Sequence, residues 1–382
     1  LVLLGSVGPQ AVAWTGSSRP RGRSLGEVLA LSTAGSLAAT LLAAFVLIPH
    51  FGVRACFLGT ALALSALGGV GTWGAGRGTG LSLLLGLILA VGAAQAGRTP
   101  SGFRLVARRS SFQGELWVVE QGPVRMLLMD GIIQTGKDSR SGLSAFSYTH
   151  VLDCLVAMFA PQARRAVVAG LGAGVLPVAL KARGLDVEVL ELDPEVLKVA
   201  RDFFDFPAGI PVRLGDGRVL LAAQAPGLDA VILDVYSGDV SPFQLLTREA
   251  FALAREKLSE DGVLMVNLLG SLDGKSSRVP RAVAATLKEI FPQVWLYGGG
   301  PSGGYANLLF VAGSRKNPPA VVGPPVLPDP RLSSEVLSVL GTGRQAQGEG
   351  ALLTDDFNPV DLWDRGMRSR WRMDTLRYLG IR

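Results

Sequence analysis

The sequence predicts an α/β domain built on a parallel sheet with helices on both faces, preceded by membrane-spanning helices. Three observations carry this. Five short apolar runs follow one another between Arg165 and Leu269, and the stretches between them have room for crossover helices. A glycine cluster, "GLGAG", comes directly after the first run, and the first 98 residues contain three long uncharged segments. The boundaries that follow are 1–98 for the membrane helices, 99–147 for a small antiparallel β unit, 148–316 for the α/β domain, and 317–382 for a proline-rich loop and tail.

The N-terminal segments come first. Val28 to Pro49 has no charged residue over 22 positions, which as a helix reaches about 33 Å and crosses a hydrocarbon core of roughly 30 Å. Ala55 to Trp73 and Leu81 to Gly97 are also uncharged but shorter and richer in glycine. Leu1 to Trp14 is apolar yet begins without Met or a basic stretch, so it reads as the end of a further helix of a longer chain and not as a signal peptide. The whole chain has a mean hydropathy of +0.36. Its 37 Lys and Arg outweigh 31 Asp and Glu, for a net charge of +6. The arginines cluster at Arg19, Arg21 and Arg23 and at Arg104, Arg108 and Arg109, flanking the apolar segments. That placement suits anionic lipid and argues against nucleic acid as the partner. Two cysteines, Cys56 and Cys154, and two histidines, His50 and His150, are too few for a disulfide framework or a zinc site, so no metal is expected.

After Gly97 the runs "FRLVARR", "GELWVVEQ" and "VRMLLMDG" alternate as antiparallel strands do. Helical spacing covers Tyr148 to Phe159. The parallel strands are "RAVVAG", "DVEVLEL", "IPVRLG", "DAVILD" and "GVLMVNLL", with "PEVLKVARDFF" and "REAFALAREKL" among the crossover helices. "QVWLYGG" and "ANLLFVAG", joined through "GPSGGY", read as a terminal antiparallel hairpin. Seven strands ending in a hairpin favour a class I methyltransferase-like, Rossmann-type sheet over a six-stranded dinucleotide fold.

Ligands of open α/β sheets sit beyond the carboxyl ends of the strands. Gly170, Gly172 and Gly174 follow the first strand, where a tight turn lets backbone approach a ligand. Glu191 and Asp193 stand about 20 residues after the first glycine, at the distance from which an acid accepts from ribose hydroxyls. Asp216 and Gly217 end the third strand, where a carboxylate can accept from an adenine amine, and Asp234 ends the fourth. The glycine turn has no basic residue for a pyrophosphate and no G-K-[ST]. An adenosine carrying a cationic sulfonium fits an acidic rim, so the expected ligand is an S-adenosyl compound.

The run "LLMDGIIQTGKD…FSYTHVLDCL", then "GLGAG", "ELD", "GDGR" and "LDVYSGDVSPFQLLTREAF", resembles the spermidine/spermine synthase family of aminopropyltransferases. It looks most like bacterial members fused behind major-facilitator-type membrane helices. The resemblance covers about Phe103 to Ala312, and "LTDDFNPVD" resembles a tail of the fused type. It implies decarboxylated S-adenosylmethionine as co-substrate, a small-molecule amine as acceptor, a multi-pass protein of the bacterial inner membrane with a cytoplasmic catalytic domain, and room for a homodimer through that domain. By position, it implies that Gln134 and Tyr148 contact cofactor or amine, Glu191 holds the ribose, Asp216 with Gly217 holds adenine, and Asp234 faces the transferred group.

Two positions depart from the family pattern. The acid of the glycine loop that binds the aminopropyl amine is Ala173 here, and the basic carboxylate falls at Ser237, with Asp239 the nearest acid. Asp239 is then the expected base, with Asp234 and Asp355 or Asp356 on the amine. Methyl transfer from ordinary S-adenosylmethionine is the alternative reading, since Ala173 leaves space for a carboxylate. A membrane module that senses a nucleoside or polyamine without catalysis is the third.

Overall fold

The computed structural model describes residues 21–72, 102–236, 242–299, 304–314, 327 and 329–379, and divides the chain into two compact units, Leu1–Arg98 and Thr99–Arg382. In the first unit, helix α1 (Arg21–Leu42) runs through a π-helical turn at Ala43–Leu47 into α2 (Ile48–Thr72). Among the described residues one stretch, Leu25–Leu47, is long and apolar enough to cross a membrane, and Ala55–Ala66 is a shorter apolar one. Only the first of the three expected spans therefore has a full counterpart. The second lies on α2, where Ala55–Ala66 is its apolar part among the described residues, and Leu81 to Gly97 and Leu1 to Trp14 lie outside the described residues. Leu31 and Phe45 on the long stretch are 74% and 73% exposed, apolar surface that water does not favour.

The second unit opens with four antiparallel strands in sequential order, β1 (Arg104–Ser110), β2 (Glu115–Gln121), β3 (Val124–Met129) and β4 (Ile132–Asp138). The sequence reading had three of these. Asp130 and Gly131 both take positive φ, 49° and 79°, between the paired Met129 and Ile132. This is the two-residue turn whose twist suits a hairpin and which Asp-Gly favours. It creates β4, the strand that carries Gln134.

Helix α3 (Ser147–Phe159) leads into the main sheet. Strands β5 (Arg165–Ala169), β6 (Asp186–Glu191), β7 (Val212–Leu214), β8 (Leu228–Leu233) and β9 (Leu258–Gly270) are parallel. Helices α4 (Val175–Ala182), α5 (Pro194–Phe204), α6 (Gly217–Ala222) and α7 (Arg248–Lys257) connect them in turn. After α8 (Arg278–Ile290) come β10 (Gln293–Tyr297) and β11 (Ala306–Gly313), antiparallel to each other as the hairpin reading expects. β11 inserts between β10 and β9, and the short β12 (Arg344–Gln345) makes the sheet eight-stranded, ordered β12-β10-β11-β9-β8-β5-β6-β7. Strand order reverses between β5 and β8, which is where open α/β sheets bind ligands.

Each central strand feeds two cores. Along β5, Ala166 and Val168 join one cluster with Leu152 and Leu155 of α3 and Leu180 of α4. Val167 and Ala169 join the other, with Phe251 of α7 and Val283 of α8. Strand side chains alternate between faces, so a run that is apolar at every position is buried on both. Burying each such Val or Leu contributes about 1.5–3 kcal/mol.

The region after residue 316, read from sequence as loop and tail, also contains helices α9 (Pro330–Leu340) and α10 (Val360–Tyr378). α10 packs on α8 and returns to β4. At its end the Tyr378 hydroxyl bonds the Gln121 side chain at 2.9 Å, and Leu379 is buried in a cluster with Trp117.

Candidate active site

A cavity of about 1040 Å³ lies over the carboxyl ends of β5, β6 and β8, at the reversal of strand order. Beside it the glycine turn ties three strand ends together. Gly170 N–H donates to Leu190 O at 2.9 Å, and Asp234 N–H donates to Ala169 O at 3.0 Å. Gly170 has φ +94°, and a Cβ there would sit 2.1 Å from the Asp234 carbonyl oxygen, so only glycine lets the end of β8 come this close. Gly172 faces Thr135 of β4 across the cavity wall. Gly174 has another use: it packs against the ring of Phe206, which a Cβ would meet at 2.2 Å, and it does not line the cavity.

Glu191 ends β6 with its carboxylate buried, 7% exposed. Its Oε2 accepts from Leu171 N–H at 2.9 Å and its Oε1 from Asp193 N–H at 2.8 Å. Backbone donors do not fill the roughly four acceptor sites of a carboxylate, so a ribose hydroxyl can still donate to it. Burial raises its pKa, and the backbone donors oppose that rise. Asp193 differs from the sequence expectation. It is fully buried, caps α5 by accepting from Glu195 N–H at 2.9 Å, and is absent from the cavity wall, the ordinary use of Asp at a helix start.

Asp216 caps α6, its Oδ1 accepting from Arg218 N–H at 2.9 Å and Val219 N–H at 3.0 Å, and it lines the cavity together with Gly217. Asp234 lies at the cavity floor, where Asn267 Nδ2 donates to its Oδ1 at 2.7 Å. Burial pushes its carboxyl up to about 6, against the pull of that bond. Tyr148 at the start of α3 also lines the cavity, and burial first and the Asp234 charge second raise its pKa. Gln134 stands on the same wall.

The tail acids sit elsewhere. Asp355 is clamped by Arg218, Nη1 to Oδ1 at 2.7 Å and Nη2 to Oδ2 at 2.6 Å, and neither it nor Asp356 lines the cavity. Asp239 and Ser237 lie outside the described residues. Ala173 is 2% exposed and belongs to the hydrophobic core, so its position supplies no group to the ligand. His150 is buried, with Nε2 2.9 Å from Ser144 O. Among the described residues no three His, Cys, Asp or Glu side chains are grouped to hold a metal ion.

Several cavity residues escaped the sequence reading: Asn267 on β9, Tyr305 before β11, Glu335 on α9, and Trp371 and Asp374 on α10. Asn267 had a signal, as the one polar residue inside "GVLMVNLL". The α10 residues had none, because they fall in the stretch read as tail and "MRSRWRMDTLRY" contains no apolar run. Among the described residues the cavity wall carries five carboxylates, Glu191, Asp216, Asp234, Glu335 and Asp374, and no Lys, Arg or His.

No family model matches the chain. Over 134 residues it is 34% identical to a probable polyamine aminopropyl transferase of Bifidobacterium longum, covering 35% of this chain and 30% of the relative. Over 220 residues it is 28% identical to an N-terminal histidine N-methyltransferase of Emericella nidulans, covering 51% of this chain and 39% of that one. A polyamine aminopropyltransferase of Vibrio vulnificus is 25% identical over 218 residues, with 54% of this chain and 71% of the relative covered. The chain thus spans between 30% and 39% of the length of the first two. Among solved structures, a probable spermidine synthase from Corynebacterium glutamicum matches with a TM-score of 0.51 at 17% identity, over 70% of this chain and 93% of that one, which is a likeness of fold.

Proposed function

We propose that the chain is an aminopropyltransferase of the spermidine synthase type, which moves an aminopropyl group from decarboxylated S-adenosylmethionine to a small amine. The observation that carries this is the charge of the cavity. Five carboxylates with no cationic side chain suit ligands that are themselves cationic, a sulfonium and one or more ammonium groups. The Bifidobacterium and Vibrio relatives, both called aminopropyl transferases, support the same reaction class.

In this reading Glu191 accepts from the ribose hydroxyls, and Asp216 and Gly217 border the adenine. Gln134 and Tyr148 form the wall along the transferred group. A neutral amine nitrogen attacks the methylene beside the sulfonium, the carbon–sulfur bond breaks with its electron pair going to sulfur, and a neutral thioether leaves. The acceptor enters as an ammonium, so a carboxylate first takes one proton to free the attacking lone pair, and the product is a secondary ammonium. Asp234, pushed up to about 6 and so largely ionised at neutral pH, is suited to receive that proton. Asp239 is the second candidate, three residues beyond the described Tyr236.

The Emericella relative favours methyl transfer as a second reading. Calorimetry separates the two, because a donor lacking the carboxylate adds no anion to an already acidic cavity. Decarboxylated S-adenosylmethionine should bind more tightly than S-adenosylmethionine, and the reverse order would favour methyl transfer. The long apolar stretch Leu25–Leu47 is proposed to anchor the protein in the membrane.

A further inference from the structure

We infer that the C-terminal helix α10 sets acceptor specificity, with Asp374 receiving the distal ammonium group of a linear diamine or polyamine. This rests on the aminopropyl-transfer reading, and it adds a residue and an element that the sequence motifs did not indicate.

The inference follows a line of contacts leading away from Asp234. Asn267 is 4% exposed and gives its Nδ2 to Asp234, while its Oδ1 has no hydrogen-bond partner and the residue lines the cavity. A buried amide oxygen left so is costly unless a ligand N–H meets it. Two residues beyond Asp234, the Tyr236 ring stands edge-on to Trp371 of α10, with centroids 6.1 Å apart and planes at 84°. One turn further along α10, Asp374 Oδ2 accepts from the Tyr305 hydroxyl at 3.1 Å. The cavity wall therefore passes from a carboxylate and an unpaired acceptor, across aromatic rings, to a second carboxylate. That sequence of groups suits a chain with an amine at one end, methylenes between, and an ammonium at the other, since aromatic faces accept both methylenes and cations.

Asp374 has the capacity for this. Its Oδ1 takes Arg377 Nη1 at 3.0 Å and its Oδ2 takes Tyr305, while a carboxylate accepts about four bonds in all. Its side chain is 48% exposed, so it stands where the cavity opens and an ammonium reaching it keeps much of its hydration. Glu335 is not on this line: its Oε1 accepts from Ser147 at 2.6 Å, against the wall made by α3.

The test uses the full chain saturated with the thioether product 5′-methylthioadenosine, titrated calorimetrically with 1,4-diaminobutane and with 1-aminobutane. Wild type should prefer the diamine. Asp374→Asn should weaken the diamine by about tenfold, the order expected for one charge-assisted hydrogen bond, and leave the monoamine unchanged, while Asp374→Glu should restore part of the preference. Tyr305→Phe removes a donor to Asp374 but not its charge, and should keep the preference. An Asp374→Asn protein that binds the diamine as wild type does, or that loses both amines equally, overturns the inference but not amine transfer. A wild-type protein that binds the thioether and neither amine overturns both.

Discussion

The carboxylate of Glu191 accepts from the backbone N–H of Leu171 at 2.9 Å, so the acid that ends β6 also braces the glycine turn that follows β5. Glu191→Gln leaves one acceptor oxygen and introduces an amide that points its hydrogens at Leu171 or Asp193. It should weaken S-adenosyl binding by on the order of 10- to 100-fold, from the loss of one charge-assisted bond contributing roughly 1.5–3 kcal/mol. Isothermal titration checks this, and an affinity equal to wild type would remove Glu191 from the ribose site.

Gly170→Ala tests the same turn from its other side. With φ at +94° and a Cβ aimed at the Asp234 carbonyl oxygen, the substitution adds backbone strain and a clash that no side-chain rotation relieves. The expected loss of stability is on the order of 2–4 kcal/mol. Urea denaturation measures it. A loss below about 0.5 kcal/mol, the usual size for a surface substitution, would mean that β5 and β8 are farther apart than described.

The residues that the sequence made legible are those whose position is fixed by a strand end. Gly170, Glu191, Asp216 and Asp234 each follow an apolar run, and the fold puts the ends of parallel strands on one edge, so pattern alone brings them together. Asp193 and Gly174 match the same pattern but serve a helix cap and a ring contact, a distinction that depends on where the side chain points. β4 escaped notice because "IIQTGKD" is apolar only at its start, and its pairing depends on the Asp130–Gly131 turn. Trp371 and Asp374 lie more than a hundred residues beyond Asn267, and only the return of α10 to the small sheet brings them to the cavity, which no local pattern encodes.

The tail acid Asp355 should prove structural. Its carboxylate is held below the usual range chiefly by the Arg218 hydrogen bonds, which tie the tail to the turn that carries Asp216. The pair is partly exposed, with side chains 29% and 43% accessible, so Asp355→Asn should cost at most about 1 kcal/mol. The depressed pKa places that contribution above the unfolded carboxyl value, and it fades as pH falls below it. Steady-state kinetics should show an unchanged KM for the amine, whereas a raised KM would return Asp355 to the substrate site.

The N-terminal stretch Leu25–Leu47 should keep the full chain with the membrane fraction after ultracentrifugation, and detergent should release it. The Thr99–Arg382 unit, expressed alone, should stay in the supernatant. Recovery of the full chain in the supernatant without detergent would rule out the anchor.

In the proposed reaction Asp234 joins stability and turnover through one proton. Burial pushes its carboxyl up to about 6, so the fold favours the neutral form, and that contribution to stability is fully present below the ordinary carboxylate value near 3.8. It is lost as pH rises through about 6. Asp234→Asn keeps an acceptor oxygen for Asn267 Nδ2 without ever ionising. Its melting temperature should therefore match wild type near pH 4 and exceed it above pH 6, a crossover that differential scanning calorimetry over that range would detect. Turnover should move in the opposite direction. The base must be ionised to take the amine proton, so wild-type kcat should rise with pH through about 6, and Asp234→Asn should lower it by roughly 10²- to 10⁴-fold. Should Asp234→Asn retain its turnover while Asp239→Asn loses it, the proton goes to Asp239, and Asp234 serves to hold Asn267 in place against the acceptor.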